Sequence, residues 1–258
     1  MQKRLDGRRA LVTGGSRGLG AAVARQLGRE GAVVAVHYRS DEAAARQVVA
    51  DIAAEGGWAV AVSGSIGDYG AVDRLVDAAV AAIGPIDLLV SNAGTASRGQ
   101  SVAETADEEF EKLLRIHALG PIHLVRRLLD GMRSAPRGDI IAISSSTVPD
   151  APPLSAPYTV AKSALETAMR TLAREERRHG IRVNIVAPGL IDTDMGQRLV
   201  RAKAGADIST IQSEFPFGHV CRPEEVSGLI AFLASSEGSY ITGQRITVNG
   251  GGQDPTIF

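Results

Sequence analysis

Tyr158 and Lys162 lie four residues apart in the segment YTVAK, shortly after three serines at 144–146. Side chains four apart on a helix share one face, with Cβ atoms about 5–6 Å apart. A lysine ammonium beside a phenol favours the phenolate, so it would lower the tyrosine pKa from about 10 towards the working range. A serine hydroxyl nearby could hold a carbonyl oxygen while the tyrosine gives or takes its proton. The pattern indicates acid–base chemistry, although such a pair is also common in helices where it has only a structural role.

The glycine-rich segment TGGSRGLG, Thr13 to Gly20, is the second candidate site; it follows an apolar run and opens a helical pattern. Gly14, Gly18 and Gly20 permit a tight turn, close approach of the backbone to a pyrophosphate, and close helix–strand packing. The helix N-terminus would then face the anion. The spacing is G-x3-G-x-G rather than G-x-G-x-x-G, and an ordinary strand–helix connection is the alternative interpretation. No Gly-Lys-Ser/Thr follows, which disfavours a nucleotide-triphosphate loop.

The charges after the second apolar run bear on the kind of dinucleotide. Tyr38 and Arg39 lie about 20 residues beyond the glycines, where an Asp or Glu would bind a ribose 2'-hydroxyl. No acidic residue occupies that strand end, whereas Arg39 and Arg17 of the glycine loop are available. Two guanidinium groups suit a 2'-phosphate, so we expect NADP(H) rather than NAD(H). The alternative is that both arginines are solvated surface residues.

The elements that position these residues alternate along the chain. Short runs rich in Val, Ile and Leu predict seven strands, at 9–14, 33–38, 58–62, 86–91, 139–144, 181–186 and 244–249. Helical patterns lie between them, and those at 18–31, 41–56 and 69–84 end in glycine, as helix C-termini prefer. Continuous apolar strands separated by helices imply an α/β fold. We expect a doubly wound, mostly parallel, Rossmann-like sheet with helices on both faces.

Composition disfavours several other functions. The 258-residue chain is 44% hydrophobic with a formal net charge of -1 and scattered basic residues, so no nucleic-acid partner is expected. One cysteine, Cys221, and histidines spread over separate elements predict no metal site. No signal peptide or membrane-span-length apolar run is visible, which predicts a cytoplasmic protein with no membrane partner. No linker divides the chain, so we expect one domain over residues 1–258.

Four motifs occur in order along the chain: TGGSRGLG, SNAG at 91–94, ISS followed by YTVAK, and VNIVAPGLIDT at 183–193. Together with the C-terminal ITGQRITVNGGG, they make the chain resemble the short-chain dehydrogenase/reductase family. The resemblance is to the compact single-domain type that includes the 3-oxoacyl-carrier-protein reductases, and it covers essentially the whole chain. Each motif is moderately specific alone; their order and spacing are far more specific together.

The resemblance implies roles for individual residues. Tyr158 would be the general acid/base, Lys162 would lower its pKa and bind the nicotinamide ribose, and Ser145, thirteen residues before Tyr158, would orient the substrate carbonyl. Residues from about 194 to 216 would form a substrate lid, and the chain would assemble as a homotetramer. The implied cofactor contacts are Gly14, Ser16, Arg17, Gly18, Leu19, Tyr38, Arg39, Ser40, Ser65, Ile66, Asn92, Ala93, Gly94, Tyr158, Lys162, Pro188, Gly189, Ile191 and Thr193.

The chain departs from the family pattern at two positions. Ser65 stands where the family usually has an Asp near the adenine, which implies a weaker adenine contact. His117, in the segment RIHALG, stands where members commonly carry an Asn whose backbone holds a water linking the active lysine to solvent. A histidine with the ordinary pKa of about 6.5 could pass protons near neutral pH, which makes His117 a fourth catalytic candidate. The alternative is a packed helix histidine.

The resemblance, together with the charge pattern after the second strand, implies an NADPH-dependent oxidoreductase that reduces the carbonyl group of a small molecule to an alcohol. Two alternatives stay open: an NAD-dependent alcohol or sugar dehydrogenase, and a catalytically silent dinucleotide-binding regulator. The aromatic content of 4% and the small residues of the loops leave the substrate unspecified.

Overall fold

The computed structural model describes residues 3–252 and contains a seven-stranded sheet of order β3-β2-β1-β4-β5-β6-β7. Every neighbouring pair of these strands is parallel. The predicted doubly wound α/β fold is confirmed, and each predicted strand overlaps an observed one. The expected domain of residues 1–258 extends beyond the described residues at 1–2 and 253–258. The strands are β1 Arg9–Val12, β2 Val33–Tyr38, β3 Trp58–Ser63, β4 Leu88–Ser91, β5 Gly138–Ile143, β6 Ile181–Pro188 and β7 Arg245–Val248.

The helices between the strands begin and end where local chemistry favours it. Glycines at 31, 56 and 84, just past the first three helices, have φ angles of +101°, +78° and +83°. Asp41 caps the second helix by accepting a hydrogen bond from the main-chain N–H of Ala44 at 3.0 Å. The α-helices are α1 Gly18–Arg29, α2 Glu42–Ala54, α3 Tyr69–Ile83, α4 Asp107–Leu114, α5 Gly120–Ser134, α6 Ala156–Glu176, α7 Asp194–Ala204 and α8 Pro223–Ala234.

Alternate residues of the strands face two separate cores, one on each side of the sheet. Helices α1, α2 and α8 cover the side on which Val12 and Val36 are buried. Helices α3, α5 and α6 cover the side on which Leu11 and Ala35 are buried. Because both faces of the central strands are covered, ligands can reach these strands only at their ends.

One turn of π-helix, Arg115–Leu119, joins α4 to α5. The apolar periodicity of the sequence indicates a helix here but does not predict the wider turn. His117 and Ala118 lie on the buried side of the π turn. Such turns inserted in α-helices are frequent at functional sites.

A buried ion network lies at the amino ends of the strands, opposite the glycine loop. Asp139 of β5 is 2% exposed. It forms ion pairs with Arg8 and Arg137, each at 2.8 Å, and with Arg182. Arg182 also donates a hydrogen bond at 2.6 Å to the carbonyl oxygen of Leu233 in α8. The network therefore ties α8 to the sheet.

Between residues 3 and 252, no helix combines the length and the apolar character needed to cross a membrane.

Candidate active site

The candidate residues converge at the carboxyl ends of the central strands. The strand order reverses between β1 and β4, the point at which open α/β sheets bind ligands. Thr13 Oγ1 accepts hydrogen bonds from the main-chain N–H groups of Asn92 at 2.9 Å and Ala93 at 3.0 Å. Asn92 Nδ2 donates to the carbonyl oxygen of Thr13 at 2.9 Å. The loops after β1 and β4 are thus held together across the switch point.

The glycine loop presents the N-terminus of α1 without a competing partner. Arg17, the N-cap residue, makes no side-chain capping hydrogen bond, and the first turn has no acidic residue. Gly14 and Gly18 have φ angles of +63° and +53°, and a Cβ on Gly20 would overlap the carbonyl oxygen of Gly14. Ser16 is partly exposed and Leu19 is buried beneath the turn. The free N–H groups and the helix dipole favour a phosphate at this end.

His37 fixes the glycine loop from β2, a role that the sequence interpretation missed. Its Nδ1 accepts a hydrogen bond from the Gly14 N–H at 2.9 Å, and its Nε2 lies 3.0 Å from the carbonyl oxygen of Gly64. These partners select the tautomer protonated at Nε2, and burial lowers the pKa of His37. The available signal was a histidine inside the otherwise apolar strand VVAVHY. His37 links the glycine loop to the loop after β3, where Ser65 and Ile66 lie.

The loop after β3 carries the first departure from the family pattern. Ile66 is buried, whereas Ser65 is partly exposed. Asp68, the nearest carboxylate in sequence, is engaged as the N-cap of α3, because its Oδ1 accepts a hydrogen bond from the Ala71 N–H at 2.7 Å. Ser65 is therefore the side chain left for the predicted adenine contact.

The two arginines expected at a 2'-phosphate are exposed at the glycine-loop end of the sheet. The Gly15 N–H donates to the His37 carbonyl oxygen at 2.7 Å, so the residues that follow, Tyr38, Arg39 and Ser40, lie beside the loop. Arg17 and Arg39 are both exposed. Neither guanidinium forms an ion pair or hydrogen bond with another residue between 3 and 252. Both are free to meet a phosphate from solvent.

The predicted contacts Pro188, Gly189, Ile191 and Thr193 lie at or just after the end of β6. Thr193 Oγ1 caps α7 by accepting a hydrogen bond from the Gly196 N–H at 3.2 Å. A Cβ on Gly18 would lie 3.4 Å from Thr193 Cγ2. The loop after β6 therefore reaches the N-terminus of α1, which is the location expected for a pyrophosphate contact.

Tyr158, Lys162, Ser145 and His117 form one cluster between α6, the π turn and the end of β5. The centroids of the Tyr158 and His117 rings are 5.2 Å apart, edge to face at 79°. Lys162 Nζ lies 5.8 Å from the Tyr158 ring centroid, and the Ser145 hydroxyl lies close enough to the Tyr158 hydroxyl to lower its pKa. The structure thus brings the four catalytic candidates together.

Of the three serines at 144–146, Ser144 is buried, whereas Ser145 and Ser146 are partly exposed. Ser144 Oγ donates a hydrogen bond to Glu166 Oε1 at 2.6 Å. Ser145 Oγ lies 2.9 Å from Thr147 Oγ1 and accepts a weaker hydrogen bond from the Thr147 N–H at 3.3 Å. The choice of Ser145 over Ser146, made from its distance to the tyrosine in sequence, stays a prediction.

The pKa of Tyr158 is set mainly by burial, and the lowering expected from Lys162 stays a prediction. Burial raises the pKa of Tyr158 to about 12, and the nearby Ser145 hydroxyl offsets this only in part. Burial lowers the pKa of Lys162 to about 8, against the opposing influence of the Glu166 carboxylate. Loss of hydration of the phenolate is the largest cause of this rise in the Tyr158 pKa. Tyr158 therefore holds its proton at neutral pH.

His117 is neutral near pH 7, which removes the basis for expecting it to titrate there. Burial, together with the Lys162 charge, lowers the pKa of His117 to about 3. Its Nε2 lies 2.8 Å from the carbonyl oxygen of Thr95 and 3.2 Å from the Thr95 N–H. A Cβ on Gly94 would lie 2.6 Å from His117 Cε1, so only glycine leaves room for the ring. His117 therefore fixes the loop after β4 and also packs against Tyr158.

The described residues suit a dinucleotide and offer no metal cluster. The uncapped N-terminus of α1, the close-packed glycines and the free guanidinium groups would accept phosphate groups. In residues 3–252, no group of three or more His, Cys, Asp and Glu side chains is arranged to hold a metal ion.

Comparison with known proteins identifies the family. Residues 14–253 match the family model described as enoyl-(acyl carrier protein) reductase. The chain belongs to the short-chain dehydrogenase/reductase family. It is accordingly an oxidoreductase, as the order of its motifs predicted.

Named members of the short-chain dehydrogenase/reductase family align along nearly all of this chain. A short-chain type dehydrogenase/reductase of Picea abies is 36% identical, with 96% of this chain and 93% of that protein covered. A versicolorin reductase of Emericella nidulans is 37% identical, with 96% of each chain covered. The solved structure of an angucycline C-6 ketoreductase with bound NADP is 35% identical, covers 96% of each chain and has a TM-score of 0.88.

Proposed function

We propose that the protein reduces the carbonyl group of a small molecule to an alcohol with NADPH. The observation that carries the proposal is the cluster of Tyr158, Lys162 and Ser145 beside a helix N-terminus suited to phosphate. The relatives named as a versicolorin reductase and as an angucycline C-6 ketoreductase with bound NADP support it. A tyrosine that holds its proton at neutral pH suits the reductive direction, which needs a proton donor.

Each of the three residues has a separate task in this mechanism. When bound, NADPH supplies a hydride to the carbonyl carbon. Tyr158, protonated because its pKa is raised to about 12, gives its proton to the carbonyl oxygen. Ser145 donates a hydrogen bond to the same oxygen and holds it near Tyr158.

Lys162 assists by binding and by charge. Its Nζ donates one hydrogen bond to the Ile143 carbonyl oxygen at 2.6 Å, which leaves two N–H groups for a ribose hydroxyl. Lys162 stays largely charged at neutral pH because its pKa is about 8. Its positive charge offsets the negative charge that Tyr158 acquires when the proton leaves.

Arg39 and Arg17 would hold the 2'-phosphate that distinguishes NADPH from NADH. We expect Arg39→Ala to raise the Kd for NADPH by at least about tenfold, because a charge-assisted hydrogen bond is lost. The Kd for NADH, which lacks this phosphate, should change by less than about twofold. Fluorescence titration of both cofactors measures the two constants. An equal loss for NADPH and NADH would contradict a 2'-phosphate contact.

His117 is proposed as a positioning residue that keeps the Tyr158 ring and the Thr95 peptide in place. His117→Asn should lower kcat by roughly twofold to tenfold through loss of the aromatic contact. The pH–rate profile should keep its shape around pH 6.5, because the wild-type imidazole is already neutral there. Steady-state rates across the pH range measure both effects. A limb near pH 6.5 that disappears in the variant would instead support the proton relay.

The proposal also includes a substrate lid and a homotetramer, both expected from the family. Residues 194–216 follow the loop after β6, and Val200, Ile208 and Phe215 of this segment pack with Leu190 and Val220 in a small apolar cluster. Separation of this cluster from the two main cores supports a lid over the substrate.

A homotetramer, expected from the family, is tested by light scattering.

A panel of carbonyl compounds tests the proposed function. NADPH and NADH are each supplied with β-keto esters, diketones, quinones and fused-ring ketones, and absorbance at the nicotinamide band is followed. Oxidation of NADPH with alcohol formation is expected. Preference for NAD with alcohols or sugars would support the dehydrogenase alternative, and tight NADPH binding without turnover would support a silent regulator.

A further inference from the structure

A partly buried ion pair joins the helix that carries Tyr158 and Lys162 to the loop that carries Ser145. Glu166 of α6 is 2% exposed, and its Oε1 lies 2.9 Å from Arg245 Nε of β7. Arg245 Nη2 donates a hydrogen bond at 2.8 Å to the main-chain carbonyl oxygen of Ser145. The Arg245 guanidinium thus links Glu166, which lies 79 positions earlier in the sequence, to Ser145, which lies 100 positions earlier.

The same carboxylate also holds the preceding residue of the serine loop. Glu166 Oε1 accepts the 2.6 Å hydrogen bond from Ser144 Oγ. Glu166 therefore fixes the side chain of Ser144, and Arg245 fixes the carbonyl group of Ser145. Two successive residues of one loop are bound to a single ion pair on the side of α6.

The position of the ion pair allows it to set the distance between the Ser145 loop and α6. Glu166 is four residues after Lys162 and eight after Tyr158 on α6, so these three side chains belong to one rigid helix. Strand β5 ends at Ile143, and main-chain hydrogen bonds to β6 continue at the N–H groups of Ser144 and Ser146. The Ser145 carbonyl oxygen accepts a long hydrogen bond from the Val148 N–H at 3.4 Å and the shorter one from Arg245 at 2.8 Å. A planar guanidinium with donors in a fixed fork can bind a carboxylate and a carbonyl at once, which an ammonium cannot do as well.

We propose that Glu166 and Arg245 are positioning residues that clamp the Ser145 loop to α6 and so hold the Ser145 hydroxyl beside Tyr158. This inference rests on the proposed function, in which Ser145 and Tyr158 act on the same carbonyl oxygen. Arg245 acts through Glu166 and the Ser145 carbonyl, and within residues 3–252 it forms no hydrogen bond or ion pair with the glycine loop. Its loss should therefore reduce turnover and leave cofactor binding intact.

Arg245→Met tests the clamp, and Arg170→Met is its matched control. Arg170 also pairs with Glu166, at 3.2 Å, but makes no contact with Ser145. We expect Arg245→Met to lower kcat for carbonyl reduction by at least about tenfold, the effect of one charge-assisted hydrogen bond. The Kd for NADPH should stay within about twofold. Arg170→Met should keep kcat within about twofold, because its ion pair is half-exposed.

A double-mutant cycle with Ser145→Ala separates positioning from a general structural role. If Arg245 acts through Ser145, Arg245→Met should add less than about twofold to the loss already caused by Ser145→Ala. A full additional tenfold loss in that background would overturn the clamp, as would a kcat within about twofold of wild type for Arg245→Met alone. If Arg245→Met does not fold, Arg245→Gln removes the guanidinium but keeps the Glu166 carboxylate that acts on Lys162, and the same cycle is measured.

Failure of the proposed function gives a different result. Wild-type protein that reduces no carbonyl compound, or Ser145→Ala with unchanged turnover, contradicts the proposed function itself. The clamp is then judged from crystal structures of Arg245→Met and Arg170→Met. A larger Ser145 Oγ to Tyr158 Oη distance in Arg245→Met alone supports it, and the same distance in both variants overturns it.

Discussion

Tyr158→Phe should lower kcat for carbonyl reduction by at least about a hundredfold, because it removes the group that protonates the forming alcohol. Burial raises the pKa of Tyr158 to about 12, so the wild-type residue is a full proton donor at neutral pH. Phenylalanine keeps the ring that packs at 5.2 Å against His117. The structural change is therefore confined to one hydroxyl group. Stopped-flow rates of NADPH oxidation at saturating ketone measure the loss.

The matched control for this variant is Tyr240→Phe. Tyr240 is fully exposed in the loop before β7, whereas Lys162 is buried. The two residues are also distant in sequence. Removal of the Tyr240 hydroxyl should leave kcat within about twofold. The Kd for NADPH should be close to wild type in both variants. Near wild-type turnover by Tyr158→Phe with intact cofactor binding would remove Tyr158 from the mechanism.

Asp139→Asn should lower the free energy of unfolding by about 3–5 kcal/mol, because it breaks a buried ion network from its centre. Asp139 is 2% exposed and faces three arginines, of which Arg182 is itself 8% exposed. With a neutral amide in place of the carboxylate, Arg182 keeps its charge without a counter-charge in a buried site. Chemical denaturation measures the midpoint and slope from which the free energy of unfolding is obtained.

Asp130→Asn is the control for the network. Asp130 also pairs with an arginine, Arg133, at 3.4 Å, but its side chain is 95% exposed. Its substitution should change the free energy of unfolding by less than about 0.5 kcal/mol. Equal effects for the two aspartates would contradict the importance assigned to the buried network.

The fold was readable from the sequence because its signals are local. Parallel strands covered on both faces need continuous apolar runs, such as the run before Thr13, and glycine ends helices at positions such as Gly84. The Tyr158 and Lys162 pair was also visible, since residues four apart on a helix share a face. The helices and strands could therefore be predicted, and so could the residues that lie next to each other within one helix or strand.

The remainder depends on contacts between distant parts of the chain. Burial sets the direction in which the pKa values of Tyr158 and His117 shift. The spacing of residues in the sequence does not show which side chains become buried. The π turn could not be predicted because the pattern of apolar residues does not distinguish it from an α-helix. The Glu166–Arg245 pair spans 79 residues and exists only once β7 lies beside α6. The hydrogen bonds of His37 likewise require the completed sheet.

Transfer of deuterium from labelled NADPH tests the central claim most directly. NADPH is prepared with deuterium at one or the other face of the nicotinamide C4 and supplied with a ketone that the protein turns over. The proposed function predicts deuterium on the carbinol carbon of the alcohol from one of the two labelled cofactors, in proportion to the NADPH consumed. Consumption of NADPH with no label in the alcohol from either cofactor would contradict carbonyl reduction at this site.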